Sequence, residues 1–451
     1  MDVASLRTSI KTVVAVLLEN RSFDPKLGHL SLPEFGGRAD IEGVPSLQGS
    51  VGNPSSSNVV IYPFLGNDGP LPTDLPHERP YVAQQLAYAS VARKFTMTGF
   101  VKAYEAFTGT SGAAQPSPMM LLTPKDLPVS SFFAKQYLVC NRWFAPLPTS
   151  TQPNRLVAMS GYTLIDSTKS GLLPNQDVVF DWLEARGIRW RVYSAGLSFF
   201  TLMESQWGRL LGPNFRRLSA LSHDIQNEPD STWPQVIFIE PDYEDTPVHL
   251  SGHACDNHPP LAVAFGESFL RQVYQTLTSS PSRWGNMVAI VTHDEHGGFF
   301  DHVAPISVPS PVPSGASYAT AFESTGVRVP AFVISPFVSP SSTSDVALDH
   351  TSILQLFAEL FGEGDEPYSS MVDARRLAGV GSVSQVLVNT ARSDVPVEPA
   401  QGIMGMAVLQ TTVEPQTDSQ KAFATAIEGI ATKYGAEATR GIPEIAHWLG
   451  R

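Results

Sequence analysis

Thr12-Val13-Val14-Ala15-Val16-Leu17-Leu18-Glu19-Asn20 is a segment, apolar from Val13 to Leu18, that ends on a carboxylate followed by an amide. Its apolar side chains do not alternate with polar ones, so both faces must be covered, as in an inner strand of a sheet with helices on either side. Short apolar runs recur at Val236 to Ile239, Met287 to Val291 and Val329 to Ile334. Between them lie helical patterns at Ser131 to Tyr137, Asn154 to Met159, Gly266 to Leu277 and His350 to Phe361. This alternation predicts an α/β fold: a doubly wound, mostly parallel sheet with helices on both faces. Ligands of such sheets sit at the carboxyl ends of the strands. That rule selects Glu19-Asn20, Glu240-Pro241-Asp242 and His293-Asp294-Glu295.

The chain has 451 residues, which fits two to three average domains or one large α/β domain with insertions. At 42% hydrophobic and 16% charged residues it is neither disordered nor coiled-coil. A formal charge of −13 excludes nucleic acid as the general partner, so an anionic substrate must be met by local charge. Two cysteines, Cys140 and Cys255, are too few for a disulfide framework and leave one bridge open. The run Val13 to Leu18 is short for a signal sequence, and no stretch reaches the ~18 apolar residues of a membrane span. These features favour a cytoplasmic or membrane-peripheral chain, or a secreted one whose leader has been removed. Long Gly-, Ser- and Pro-rich stretches at Gly36 to Pro76 and Val303 to Gly326 read as loop insertions of the kind that form lids.

Six of the eleven histidines fall between His249 and His302, among Asp256, Asp294, Glu295 and Asp301. Glu19, Asn20, Asp294 and Glu295, at the ends of two strands, offer oxygen ligands suited to a hard divalent cation, and imidazole would add affinity for zinc. Pro148-Thr149-Ser150-Thr151-Gln152-Pro153-Asn154-Arg155 places three hydroxyls just before a helix. A helix start exposes unpaired amides and a positive dipole end, which suits a phosphate or an alkoxide as well as an ordinary cap. Arg155 either neutralises a substrate oxygen or pairs with a surface carboxylate. Leu197 to Trp207 (LSFFTLMESQW) reads as core rather than as a seat for acyl chains. There is no G-x-S-x-G elbow to support a serine esterase.

ENRSFD (Glu19 to Asp24), GFVKAY (Gly99 to Tyr104), RWFAPLPTSTQPNRLVAMSG (Arg142 to Gly161), NHPP (Asn257 to Pro260), DEHGGFFDHV (Asp294 to Val303), GVRVPAFVISPFV (Gly326 to Val338) and DHTSI (Asp349 to Ile353) occur in that order. Over about residues 10 to 395 the sequence resembles the phosphoesterase family, which contains bacterial phosphatidylcholine-hydrolysing phospholipases C, plant non-specific phospholipases C and an acid phosphatase branch. PTSTQPNR looks most like the plant type. The resemblance implies an alkaline-phosphatase-like fold and a divalent metal ion, whether calcium, magnesium, manganese or zinc, held by Glu19, Asn20, Asp294, Glu295 and the Thr151 oxygen. It further implies Thr151 as nucleophile beside Asn154, with His77 and His258 handling protons or phosphate oxygens and His350 as a weaker candidate. At Asp24-Pro25-Lys26 the sequence departs from the family, which has Asp-His and an aromatic there.

The expectation is therefore a metal-dependent phospholipase C-type hydrolase that cleaves glycerophospholipids through a phospho-threonine. Its rivals are an acid phosphatase using the same site and a non-catalytic lipid- or phosphate-binding relative. Its partner would be a phospholipid or another phosphate ester, with peripheral membrane contact. Residues 1–395 are expected to form the catalytic domain, and 396–451 a linker and helical segment.

Overall fold

The computed structural model describes residues 1–49, 51–398 and 412–450. Eight strands form the main sheet: β1 (Thr12–Leu18), β2 (Leu138–Cys140), β3 (Trp190–Ser194), β4 (Phe215–Arg217), β5 (Val236–Glu240), β6 (Met287–His293), β7 (Ala331–Ile334) and β8 (Ser342–Ser344). Their order is β4-β3-β5-β1-β6-β7-β2-β8. Neighbours run parallel from β4 through to β6, β7 is antiparallel to both β6 and β2, and β2 and β8 are parallel. The expected α/β class, with its mostly parallel sheet and long insertions, is what the chain builds.

Every residue of β1, β5 and β6 is buried, which is why these segments read as continuous apolar runs. The main helices are α1 (Val3–Ser9), α2 (Pro128–Gln136), α3 (Thr151–Ser160), α4 (Leu218–Asn227), α5 (Ala264–Thr278), α6 (Thr351–Phe361) and α7 (Asp418–Tyr434). They pack as two sets, α6 against α1 and α3, and α5 against α2 and α4, so both faces of the sheet are covered.

Leu197 to Trp207 folds into two tight turns whose Phe199, Phe200, Leu202 and Met203 are buried in the main core, as its apolar content predicts. The C-terminal pattern forms α7, with Thr417 and Gln420 making a reciprocal cap at its start. Its Phe423, Ile427 and Ile430 enter that same core. Residues 399–411 of the expected linker lie outside the described residues.

One turn sets the geometry of the sheet's centre. Asn20, directly after β1, has φ +47°, and Gly297 has φ +60°. A Cβ on Gly297 would lie 2.4 Å from the Asn20 carbonyl oxygen, so only glycine allows the two loops to approach this closely.

Candidate active site

Strand register brings the two polar pairs together. Leu18 of β1 pairs with His293 of β6, so Glu19-Asn20 and Asp294-Glu295 leave the sheet side by side. The Asn20 amide N–H donates to Asp294 Oδ1 at 3.1 Å, and the Asp294 N–H donates to the Leu18 carbonyl at 3.0 Å. Glu19, Asn20, Asp294 and Glu295 are all buried.

The Thr149-Ser150-Thr151 turn enters this site from the start of α3, and its three hydroxyls part company there. Thr149 donates to the Asp166 carbonyl at 2.6 Å and Ser150 donates to Glu78 Oε2 at 3.0 Å. Thr151 alone points at the strand ends, with its Oγ1 donating to Glu19 Oε2 at 3.2 Å and to Asn20 Oδ1 at 3.3 Å. The Asn154 side chain holds the turn in shape: it accepts from the Leu147 N–H at 2.8 Å and donates to the carbonyls of Thr149 and Ser150. Its role in this geometry is to position Thr151.

Arg155, one helical turn beyond Thr151, is 2% exposed and carries the countercharge. Its Nε donates to Glu19 Oε1 at 2.8 Å and lies 3.4 Å from Asp294 Oδ2, and its Nη1 donates to the Tyr243 hydroxyl at 3.0 Å. The surface carboxylate considered from sequence is in fact the buried Glu19. Burial pushes the Glu19 carboxyl well above its ordinary value, Arg155 opposes that, and Asp294 adds to it.

Asp294 Oδ2 and Glu295 Oε1 are buried and have no hydrogen-bond donor. An orphaned carboxylate oxygen is costly inside a protein, and a cation at this point removes the cost. Glu19, Asp294 and Glu295 bring three buried carboxylates to this point beside Arg155, a donor set suited to a divalent ion. The residues present therefore fit the implied metal. Glu19, Asp245 and His258 also present ligand atoms within 4.8 Å of one another.

The histidines divide into two kinds. His258 and His77 face the site, their rings 6.2 Å apart. His258 Nε2 meets the Asn20 amide Nδ2 at 2.8 Å, while Nδ1 donates to the Pro259 carbonyl. Burial opposes charge on His258, but Asp74, Asp245, Glu244 and Asp256 outweigh it and hold its pKa well above the ordinary value. A second proton there requires the Asn20 amide to turn. His77, whose Nδ1 donates to the Leu75 carbonyl at 2.8 Å, is lifted to about 9, burial being outweighed by Glu295, Asp74 and Glu78.

His350 is of the second kind: Trp143 donates to its Nδ1 at 3.0 Å and its Nε2 donates to the Asp294 carbonyl at 2.7 Å. With both nitrogens engaged, it orients the Asp294 loop. His296 bonds Gln85 and pairs with Glu295 at 3.0 Å, and His302 bonds Asp24.

The divergent Asp24-Pro25-Lys26 is absorbed by structure. Asp24 pairs with the fully buried Arg328, and Lys26 with Glu267. At the third strand end, Glu240 accepts from the Phe199 N–H and the Tyr243 hydroxyl. Both cysteines are free and buried. Sequence reasoning missed Glu244 and Asp245, whose nearest signal was the acidic stretch just beyond β5, and Asp74, three residues before His77 in the Gly36 to Pro76 loop.

The phosphoesterase family model matches residues 10–362, a span that contains the Thr151 turn and both strand-end pairs. The chain belongs to the phosphoesterase family. Among its relatives, non-specific phospholipase C3 of Arabidopsis thaliana is 30% identical over 75% of this chain and 65% of the relative. Non-specific phospholipase C6 of the same plant is 30% identical over 86% of this chain and 75% of the relative. Phospholipase C A of Mycobacterium tuberculosis is 28% identical over 79% and 73% respectively. This phosphoesterase chain thus spans about two thirds to three quarters of the length of those relatives. Of solved structures, a phosphonate monoester hydrolase from Silicibacter pomeroyi overlaps 60% of this chain and 73% of its own at TM-score 0.34 and 9% identity, a likeness too slight to add to the sheet described above.

Proposed function

We propose that this phosphoesterase-family chain is a divalent-metal-dependent phosphodiester hydrolase of the phospholipase C type. Its substrates are glycerophospholipids and its products diacylglycerol and a phosphorylated headgroup. The observation that carries the reading is that, of three adjacent hydroxyls, only Thr151's is aimed at the buried Glu19-Asn20 pair. The plant and mycobacterial relatives bearing phospholipase C names support the substrate class.

Held by Glu19, Asn20, Asp294, Glu295 and the Thr151 oxygen, a divalent ion would supply positive charge that eases deprotonation of the hydroxyl and stabilises phosphoryl oxygens. Of the two acceptors for the Thr151 proton, Glu19 is the only base. The Thr151 oxygen attacks phosphorus in line, forming the Oγ–P bond as the bond to the diacylglycerol oxygen breaks. His77, which faces the site, gives its proton to the departing alcohol. Water, giving a proton to His77, then attacks phosphorus as the Oγ–P bond breaks; the Thr151 oxygen takes its proton back from Glu19 and the phosphorylated headgroup leaves.

Incubating the pure protein with phosphatidylcholine and, separately, a simple phosphomonoester tests this, with products identified by mass spectrometry. Diacylglycerol and phosphocholine are expected. Phosphatidic acid and choline as first products would refute the bond assignment. Turnover of the phosphomonoester alone would select the acid phosphatase reading, and no turnover in metal-loaded protein the non-catalytic one.

A further inference from the structure

Half of the exposed large apolar side chains among the described residues, seven of fourteen, fall between Val59 and Phe107. This is the insertion that delivers His77 to the site. At its far end a two-stranded hairpin pairs Tyr88 with Phe95 and Ala89 with Lys94. The rings of Tyr88 and Phe95 meet at 5.0 Å across the strands and stiffen the hairpin. At the turn Val91 is 101% exposed, and Tyr88 is 55% exposed. Val91 and Tyr88 together make the hairpin's end an exposed apolar tip. Arg93 and Lys94 follow it, both exposed and neither with an ion-pair partner among the described residues.

This hairpin is tied to the chemistry by one short helix, Arg79–Leu86. The helix begins beside His77 and Glu78, and Glu78 accepts from Ser150 of the Thr151 turn. It ends one residue before the hairpin, and its Gln85 bonds both the Pro76 carbonyl and His296. Eight helical residues span about 12 Å. Along this path runs a cleft of about 850 Å³, lined by Leu86, Tyr88, Phe95 and Phe322 and by Arg79, and reaching Pro148 at the edge of the Thr151 turn. That volume takes a ligand of small-molecule size.

We infer that the Tyr88–Phe95 hairpin and the cleft behind it form a bilayer-docking face, at which Val91 and Tyr88 enter the interfacial region and Arg93 and Lys94 meet anionic lipid headgroups. The lipid surface is the occupant because an apolar tip followed by unpaired cations, in a chain of net charge −13, has the charge and polarity of a membrane-interface element and not of a general anion-binding surface. The inference rests on the phospholipid reading and adds the route: a lipid drawn along the cleft presents its phosphate to Thr151.

The test uses the full chain and vesicles of phosphatidylcholine with about one part in five phosphatidylserine, against phosphatidylcholine alone. Three variants are compared by co-sedimentation: Val91→Asp, Arg93→Glu with Lys94→Glu, and Val91→Trp. Val91 and Arg93 lie in the turn and Lys94 in the strand that follows it, all exposed; turnover of a soluble short-chain phosphatidylcholine by the Val91 variants, and circular dichroism of the charge reversal, report that the fold is intact. The unaltered chain should bind the anionic vesicles more tightly, and the binding should weaken with salt. The charge reversal should cut it by roughly thirtyfold or more. Val91→Asp should cut it by about tenfold. Val91→Asp and Val91→Trp should keep short-chain turnover, whereas Arg93 and Lys94 also line the cleft, so the charge reversal is read by vesicle binding alone. The emission that Val91→Trp adds to that of the unaltered chain should shift to the blue on the vesicles.

Binding unaffected by either charged variant, an unshifted added emission from sedimented Val91→Trp protein, or no vesicle binding by the unaltered chain would overturn the inference, the last leaving a protein partner as the occupant of the tip. Vesicle binding that follows the pattern above, in a chain that cleaves neither long- nor short-chain phospholipid, would count against the proposed function and for the docking face.

Discussion

Thr151→Ala removes the oxygen that meets Glu19 Oε2 at 3.2 Å and Asn20 Oδ1 at 3.3 Å while leaving the backbone of the helix start unchanged. If Thr151 is the nucleophile, the covalent route closes and only binding and fixed charge remain. A loss of about 10⁴-fold in kcat/KM follows, equivalent to about 5 kcal/mol of activation free energy. Thr151→Ser separates the hydroxyl from the methyl. The residue is 5% exposed, so the methyl is buried and its loss costs on the order of 1 kcal/mol. That methyl term falls on folding stability, while releasing χ1 among its staggered wells adds about 0.6 kcal/mol to the barrier, a rate loss of roughly threefold. The alanine variant also strips a donor from a buried carboxylate, costing about 1 to 3 kcal/mol in metal-free protein and less with a divalent ion present. The assay is kcat/KM on a soluble short-chain phosphodiester, with intact-mass analysis of acid-quenched protein for a covalent adduct and denaturant unfolding for stability. Alanine turnover within tenfold of the parent, or an adduct on Ser150 or Thr149, would refute the assignment.

Three further outcomes follow from the same geometry. Dialysis against a strong chelator should abolish hydrolysis and a divalent ion should restore it; full activity in protein shown by elemental analysis to be metal-free would exclude the ion. Asp294→Asn, which turns an orphaned carboxylate oxygen into an amide facing Arg155, should cost about 1,000-fold in kcat/KM, whereas His296→Ala should cost only about tenfold, and equal losses would mean that the metal shell is misplaced. His77 is raised to about 9, so in metal-free protein the stability its charge contributes is fully present below pH ~6.5 and is lost as pH rises through about 9; His77→Gln should flatten that limb in urea unfolding, and an unchanged limb would show that His77 does not carry the charge.

The long insertions show how far local pattern carries. Gly36 to Pro76 and Val303 to Gly326 announce themselves as loops by composition. That residues 79–95 join His77 to an exposed apolar hairpin appears only when the helix and hairpin are placed beside the Thr151 turn. The strand Ala331–Ile334 is equally clear as an apolar run, yet its antiparallel direction is invisible in it, because pairing direction is set by the partner strands and not by the strand's own polarity pattern.

The sequence by itself determined the α/β class, the inner strands, a helix over Asn154 to Met159 and the strand-end pairs Glu19-Asn20 and Asp294-Glu295. Burial on both faces writes itself as unbroken apolar runs, and polar residues interrupt such runs only where the chain leaves the core. The residues themselves left three adjacent hydroxyls open and the resemblance implied Thr151; tertiary structure alone decided that Arg155 neutralises buried Glu19. It likewise decided that Asn154 and His350 spend their polar atoms on turn and loop backbone. Each of these is a question of direction at hydrogen-bond range between residues up to 136 positions apart, as between Glu19 and Arg155, and residue type carries no direction until the strands are in register.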